Sequence, residues 1–253
     1  MKVFFVRHGE TQANVEKRPY KNIKEPLTEN GISQAIKAGK YLKTFGKFDL
    51  VISSPATRSI QTAENIIKEI GYDKKIKIDE LILEKLSTKV AGLNADECKD
   101  IIKKAYKEYP ELIKIETEFK NVKDDPFKRI EFFQKNIDKW MTLRTGEEAQ
   151  SKQFNKHKKF LNNLKKLNKK CILVVGHGGT INYMTRIITN TYLDGDENYP
   201  SSISVIPTDA RIKCIDKKHD VYNTSIMACL IKNNKVNLVI APNTAHLYPE
   251  LKV

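Results

Sequence analysis

No two of the four cysteines stand near each other: Cys98, Cys171, Cys214 and Cys229 form no C-x-x-C pair and no zinc spacing. That scatter excludes a disulfide framework or zinc ribbon and fits reduced thiols in a cytoplasmic compartment. Long apolar runs are missing too, so no membrane span is expected. The first apolar stretch, Val3 to Val6, meets Arg7 and His8 at once and is too short for a secretion signal. Internal repeats and low-complexity linkers are also lacking. A chain of 253 residues without them is expected to form a single domain, 1–253, large enough to bury a full core and to carry an insertion. Acidic residues are the scarcer charge, 31 against 45 lysines and arginines, and the resulting formal charge of +14 raises the possibility of nucleic-acid binding. The densest run, Lys152 to Lys170, holds eight lysines and no acid. Phe154, Phe160, Leu161, Leu164 and Leu167 recur there at helical spacing, so the lysines form the solvated face of an amphipathic helix. It lacks the interleaved aromatics that stack bases. The expectation is no nucleic-acid partner and a field that attracts small phosphorylated anions.

What is present alternates between strand and helix patterns. Val3-Phe4-Phe5-Val6 reads as a strand buried on both faces. A helix follows over Ser33 to Leu42 with Thr28 as its cap, then a strand over Phe48 to Ser54 stopped by Pro55, then a helix from Arg58 to Glu69. Ile76-Lys77-Ile78 predicts a third strand. Asp96 to Leu143 looks wholly helical, broken at Pro110 and Pro126, with Trp140 in its core. About 93–150 is therefore expected to be a helical cap or insertion. The lysine-rich helix feeds Cys171 to Val175, the clearest buried strand. A strand is possible at Ser202 to Ile206, and two late strands, Thr224–Ile231 and Lys235–Ile240, flank a hairpin turn at Asn233-Asn234. The pattern predicts an α/β fold: a mainly parallel central sheet with helices on both faces.

Two of these strands end alike. The first runs into Arg7-His8-Gly9-Glu10-Thr11, the fourth into Gly176-His177-Gly178-Gly179, and the second delivers Arg58 one turn beyond its end. Parallel strands put these ends at one edge of the sheet, where open α/β sheets bind ligands. Arg7, His8, Arg58 and His177 can then converge on an anion pocket holding a titratable nucleophile or base. Glu80 and Glu84, after the third strand, are candidate acids.

At this point the sequence resembles the histidine phosphatase superfamily, which includes the cofactor-dependent phosphoglycerate mutases. Arg7-His8-Gly9-Glu10-Thr11 with Asn14, Leu27-Thr28-Glu29-Asn30-Gly31 with Gln34-Ala35, and Ser53 through Ala63 carry the likeness. Gly146-Glu147, Gly176 to Gly179 and Asn243-Thr244-Ala245-His246-Leu247 complete it in order. The resemblance implies a three-layer sandwich. It makes His8 a nucleophile that becomes phosphohistidine, with a backbone hydrogen bond fixing its tautomer. It places Arg7, Arg58 and a protonated His177 on the phosphoryl oxygens, with Asn14 and Gly178 also lining the phosphate site. Such a cationic site is expected to need no metal and no cofactor. The superfamily's acid precedes a glycine by eight residues, an interval that Glu84 and Gly92 share, so the resemblance selects Glu84 over Glu80.

The likeness thins where mutases carry an arginine, a tyrosine and a lysine for the substrate: Lys85, Ser87 and Ala95 stand there. The early Gly-Trp-x-Asp segment is replaced by Lys17-Arg18-Pro19-Tyr20, and Lys128-Arg129 is the one basic doublet over 112–143. A mutase must hold two phosphorylated states and exclude water, whereas a hydrolase need only admit it. The expected activity is a phosphomonoesterase acting on a phosphorylated small molecule or phosphoprotein. The alternatives are a mutase-type phosphotransferase and a non-catalytic module that binds phosphorylated ligands.

Overall fold

The computed structural model describes residues 1–189 and 222–247. Six strands form one sheet: β1 (Lys2–Arg7), β2 (Leu50–Ser53), β3 (Lys77–Ile78), β4 (Cys171–Gly176), β5 (Ile226–Lys232) and β6 (Lys235–Asn243). Their order is β3-β2-β4-β1-β5-β6. The pairs β1/β4, β4/β2 and β2/β3 are parallel, while β5 joins β1 and β6 antiparallel. The most apolar segments take the centre. Every residue of β4 is buried, as are Val3 to Val6 of β1.

Side-chain alternation along β1 divides the core into two layers. Phe4 and Val6 pack with Leu173 and Val175 against Ala38 and Leu42 of α2 (Glu29–Lys43) and Ala63 and Ile66 of α3 (Thr57–Ile70). Val3 and Phe5 face the other way. They join Ile172 and Val174 against Phe160, Leu161 and Leu164 of α7 (Gln150–Lys165) and Ile181 and Met184 of α8 (Gly178–Thr189). The result is a mixed, mostly parallel sheet between helical layers. The lysine-rich stretch is the amphipathic helix its spacing predicts.

Residues 95–145 form three helices, α4 (Ala95–Glu108), α5 (Glu111–Val122) and α6 (Pro126–Thr145). The two prolines fall at the breaks because a proline cannot supply an interior helical N–H. This segment has its own apolar cluster, in which Ala105, Leu112, Ile115, Phe132, Ile137 and Trp140 are buried. The third strand is shorter than Ile76–Ile78 and lies exposed at the sheet edge, where one-sided pairing demands little burial. Asn233 and Asn234 both have positive φ, 51° and 64°, the backbone of a tight hairpin turn. Among the described residues no helix is long and apolar enough to cross a membrane. The strand expected at Ser202–Ile206, the rest of 194–220 and Cys214 lie outside the described residues.

The loop after β1 is fixed from below by α2. Thr28 caps α2 by accepting from the Gly31 amide at 3.0 Å, and its own amide donates to the Glu10 carbonyl at 2.9 Å. Gln34 accepts the Glu10 amide at 2.9 Å. This contact is tight: a Cβ on Gly31 would stand 2.1 Å from the Glu10 oxygen, and one on Gly9 would stand 2.4 Å from the Gly31 oxygen. Helix propensity favours alanine over glycine by about 1 kcal/mol, but a backbone clash of this kind costs about 1–3 kcal/mol. Gly31→Ala is therefore expected to lower stability rather than raise it, by up to about 2 kcal/mol. Urea unfolding of the two proteins checks the sign.

Candidate active site

The parallel register places Arg7 beside Gly176, so His8 and His177 emerge next to each other at the carboxyl edge. Their ring centroids are 5.4 Å apart. His8 is buried, and its Nδ1 donates to the Gly9 carbonyl at 2.7 Å. A carbonyl can only accept, so this bond keeps the hydrogen on Nδ1 and leaves an unprotonated lone pair on Nε2. Burial is the largest cause holding the His8 pKa well below the usual imidazole value, followed by the nearby charges of Arg7, His177 and Arg58. The imidazole is neutral, as a nucleophile must be.

Arg58, on the first turn of α3, has no exposed surface. Among the described residues none of its three guanidinium nitrogens makes a hydrogen bond. Its Nη2 lies 3.5 Å from Glu84 Oε2, and its guanidinium carbon sits 3.7 Å from the centre of the Tyr20 ring. A buried cation with all its donors unused is costly, and a tetrahedral oxyanion is the ligand that satisfies it. Gly178 opens α8 next to Arg7; a Cβ there would stand 3.7 Å from Arg7 Nε, so the cradle stays open.

His177 is fully buried and its Nε2 meets Ser54 Oγ at 2.8 Å. The Ala56 amide donates to Ser54 Oγ at 3.4 Å; with the hydroxyl hydrogen given to Nε2, the imidazole hydrogen sits on Nδ1. Nδ1 lies 3.4 Å from Glu84 Oε2. Burial, then Arg58 and Arg7, hold the His177 pKa well below its ordinary value. The expected protonated His177 was one that faces a phosphoryl group; with Arg58 and Arg7 as its charged neighbours a further buried cation is disfavoured, and the ring is neutral. A bound phosphoryl dianion reverses that balance.

Glu84 follows a 3₁₀ turn (Glu80–Ile82) and projects its carboxylate between Arg58 and His177. Glu80 is exposed on the turn itself, so the geometry brings only Glu84 to the pocket. Asn14 reaches the site indirectly. Its Oδ1 accepts from the Thr11 amide at 3.2 Å and from Asn223 at 3.0 Å, and its Nδ2 donates to the Tyr20 hydroxyl at 3.0 Å. Asn14 therefore holds the Tyr20 hydroxyl beside the His8 ring.

Tyr20 is the residue that sequence reasoning missed. Its hydroxyl receives hydrogen bonds from Asn14 and from Thr11 Oγ1 (3.2 Å) and stands 3.3 Å from His8 Nε2. It covers the lone pair that would attack phosphorus, and its ring faces the Arg58 cation. The only signal was an aromatic in the segment that departs from the mutase pattern.

His8, Glu84 and His177 offer ligand atoms within 4.8 Å of one another, a spacing a metal ion could use. The same volume adjoins the Arg58 guanidinium, and a divalent cation there would meet strong repulsion. The electrostatics favour an anion.

Residues 3–118, a little under half of the chain, match the model described as histidine phosphatase superfamily (branch 1). Among curated relatives, a fructose-2,6-bisphosphatase TIGAR from Bos taurus is 38% identical over 108 residues, 42% of this chain and 40% of that protein. A 2,3-bisphosphoglycerate-dependent phosphoglycerate mutase from Bartonella quintana is 37% identical over 95 residues, 36% of this chain and 46% of that protein. The matched stretch thus spans less than half the length of these relatives. Across nearly the whole chain the fold is that of two solved structures. One is a phosphoserine phosphatase mutant from Entamoeba histolytica in complex with phosphoserine (TM-score 0.61, 24% identity, 97% and 98% of the two chains). The other is a phosphoglycerate mutase from Bacillus anthracis (TM-score 0.68, 18% identity, 98% and 95%).

Four buried histidines are held neutral by desolvation: His8, His177, His157 and His246, the last two with pKa values lowered to about 4. Each binds a proton more readily in the unfolded chain, at about pH 6.5, than in the folded one. Their stabilisation is full above pH 6.5 and is lost as pH falls towards 4. The urea midpoint is expected to drop already between pH 7 and pH 5, before most carboxylates titrate. An unchanged midpoint over that interval would contradict the neutral assignment.

Proposed function

We propose that the chain is a phosphomonoesterase that works through a phosphohistidine on His8 and needs no metal. The observation that carries this reading is the pairing of a neutral imidazole, its Nε2 freed by the Nδ1–Gly9 bond, with a buried guanidinium whose donors have no hydrogen-bond partner among the described residues. One group supplies the attacking pair and the other the charge for the oxygens. Arg7, Gly178 and His177, which gains its proton as the dianion enters, complete the cradle. Asn14 joins it once Tyr20 gives way. Tyr20 must leave Nε2 for the phosphorus to approach. Nε2 then forms the N–P bond as the ester oxygen departs, taking a proton from Glu84, which must enter this step as the neutral carboxylic acid and leaves it as the carboxylate. Water admitted to the pocket cleaves the N–P bond, with Glu84 accepting its proton and His8 regenerated.

The phosphatase reading is preferred to the mutase reading because of how Glu147 uses the nearby side chains. It ion-pairs with Lys85 and accepts from Ser87 Oγ at 3.1 Å, which occupies two of the positions where mutases carry substrate ligands. Residues 93–150 would act as a helical cap over the cleft. The substrate would be a small phosphorylated compound, in keeping with the phosphoserine bound by the Entamoeba structure.

Brief incubation with a labelled phosphate ester in EDTA and alkaline quench is expected to leave acid-labile phosphate on His8. Label retained in His8→Ala would overturn the mechanism. Arg58→Ala is expected to cost on the order of 10²-fold or more in kcat/KM.

Glu84→Gln is expected to slow an alkyl phosphate by roughly 10²-fold or more while slowing para-nitrophenyl phosphate far less, since the phenolate leaves without a proton. Equal losses on both esters would reduce Glu84 to a positional role.

A further inference from the structure

Glu84 separates two hollows. On its outer side an open cleft of about 230 Å³ is lined by Tyr20, Lys85, Ser87 and Glu147. On its inner side lies a second cavity of about 160 Å³, lined by Gln153, His157, Gly179, Asn182, Tyr183 and Arg186. The mechanism described above makes no use of this inner cavity.

His157 is its unusual wall. The side chain is 1% exposed, and its Nδ1 donates to the Gln153 carbonyl at 2.7 Å along the same helix. Nε2 is therefore an acceptor, and among the described residues it has no hydrogen-bond partner. The ring is fixed by stacking on Tyr183, with centroids 4.8 Å apart and planes at 29°. A buried acceptor on a cavity wall that is left unused is a cost that a ligand's donor can remove. Burial keeps the ring neutral at working pH, so it does not supply that donor itself.

The cavity also communicates with the reacting centre. Gly179 stands between the two: a Cβ there would lie 3.5 Å from Glu84 Oε1 and 3.9 Å from the Tyr183 ring. The oxygen that Glu84 protonates belongs to the leaving alcohol, so the carbon chain of that alcohol continues naturally past Gly179. Lys85 and Arg186 on the lining disfavour an ammonium and leave a hydroxyl as the fitting donor.

We propose that the inner cavity is the leaving-group subsite, and that it selects phosphate esters of small polyols by receiving a second hydroxyl on His157 Nε2. The proposal rests on the phosphatase reading for its orientation and adds the substrate class. A site built to bond a hydroxyl rejects the analogue that lacks it.

The test compares glycerol 3-phosphate with propyl phosphate, which has the same carbon chain without the hydroxyls. Wild type is expected to prefer glycerol 3-phosphate by about tenfold or more in kcat/KM, the worth of one buried hydrogen bond. His157→Phe keeps a ring on Tyr183 and removes the acceptor; it should bring that ratio close to one while retaining propyl phosphate turnover. A wild-type ratio near one, or a ratio that survives His157→Phe, would overturn the proposal. Calorimetric titration of both esters into His8→Ala needs neither turnover nor the His157 variant. Tighter binding of glycerol 3-phosphate supports the subsite even if no phosphate is ever released, and equal affinities sink it while leaving the phosphatase reading untouched.

Discussion

Arg58 is a full positive charge removed from water, and none of the described residues offers it a hydrogen bond. Most of the pocket can be understood as an answer to that charge. The Glu84 carboxylate approaches to 3.5 Å, the Tyr20 ring presents its electron-rich face at 3.7 Å, and both imidazoles stay neutral rather than add to the repulsion. Each answer is partial. A carboxylate outside hydrogen-bond geometry and a ring quadrupole do not replace the five donors' lost water. The residual deficit makes the pocket an anion site, and the same deficit lets an entering dianion change the protonation of His177.

Tyr20 and Asn14 extend this logic to the resting enzyme. The phenol accepts from Asn14 and Thr11, which leaves its own hydrogen to cover His8 Nε2. A ligand that takes the Arg58 face must displace the ring, and it releases Asn14 in doing so. Under the proposed mechanism, occupation of the site and exposure of His8 Nε2 would be the same event, which would limit contact of a bare imidazole with adventitious electrophiles.

The strand-end residues were legible because they sit next to strong signals. Val3–Val6 and Cys171–Val175 are unmistakable buried strands, and His8 and His177 are placed by counting two residues past their ends. Arg58 follows from Pro55 and the helix start in the same way. Glu84 was reached through an interval shared with a family rather than through any periodicity, because the 3₁₀ turn before it has none. Tyr20 lies in an irregular loop whose path is set by Arg18 bonding Glu25 and by the Asn14 amide, contacts no local pattern encodes. His157 was hidden for a different reason: four of the eight lysines of the Lys152–Lys170 run lie within six residues of it and drew the reading to the solvated face. The stripe Phe154, His157, Phe160, Leu161, Leu164 places it on the buried one. The short, exposed β3 shows the limit of alternation as a guide at a sheet edge.

The position of β1 has a consequence for how the chain is made. It leaves the ribosome well before its neighbours on the two sides, β4 and β5: Phe4 pairs with Leu173 and with Ala228. During synthesis at about 5–20 residues per second, Val3-Phe4-Phe5-Val6 waits many seconds for either partner. The helices of 95–145, whose cluster is assembled from neighbours in sequence, can close while that wait lasts. An unpaired apolar strand of this kind is a template for pairing with another nascent chain, so the strand that organises the finished fold is also the segment most in need of protection before it is finished.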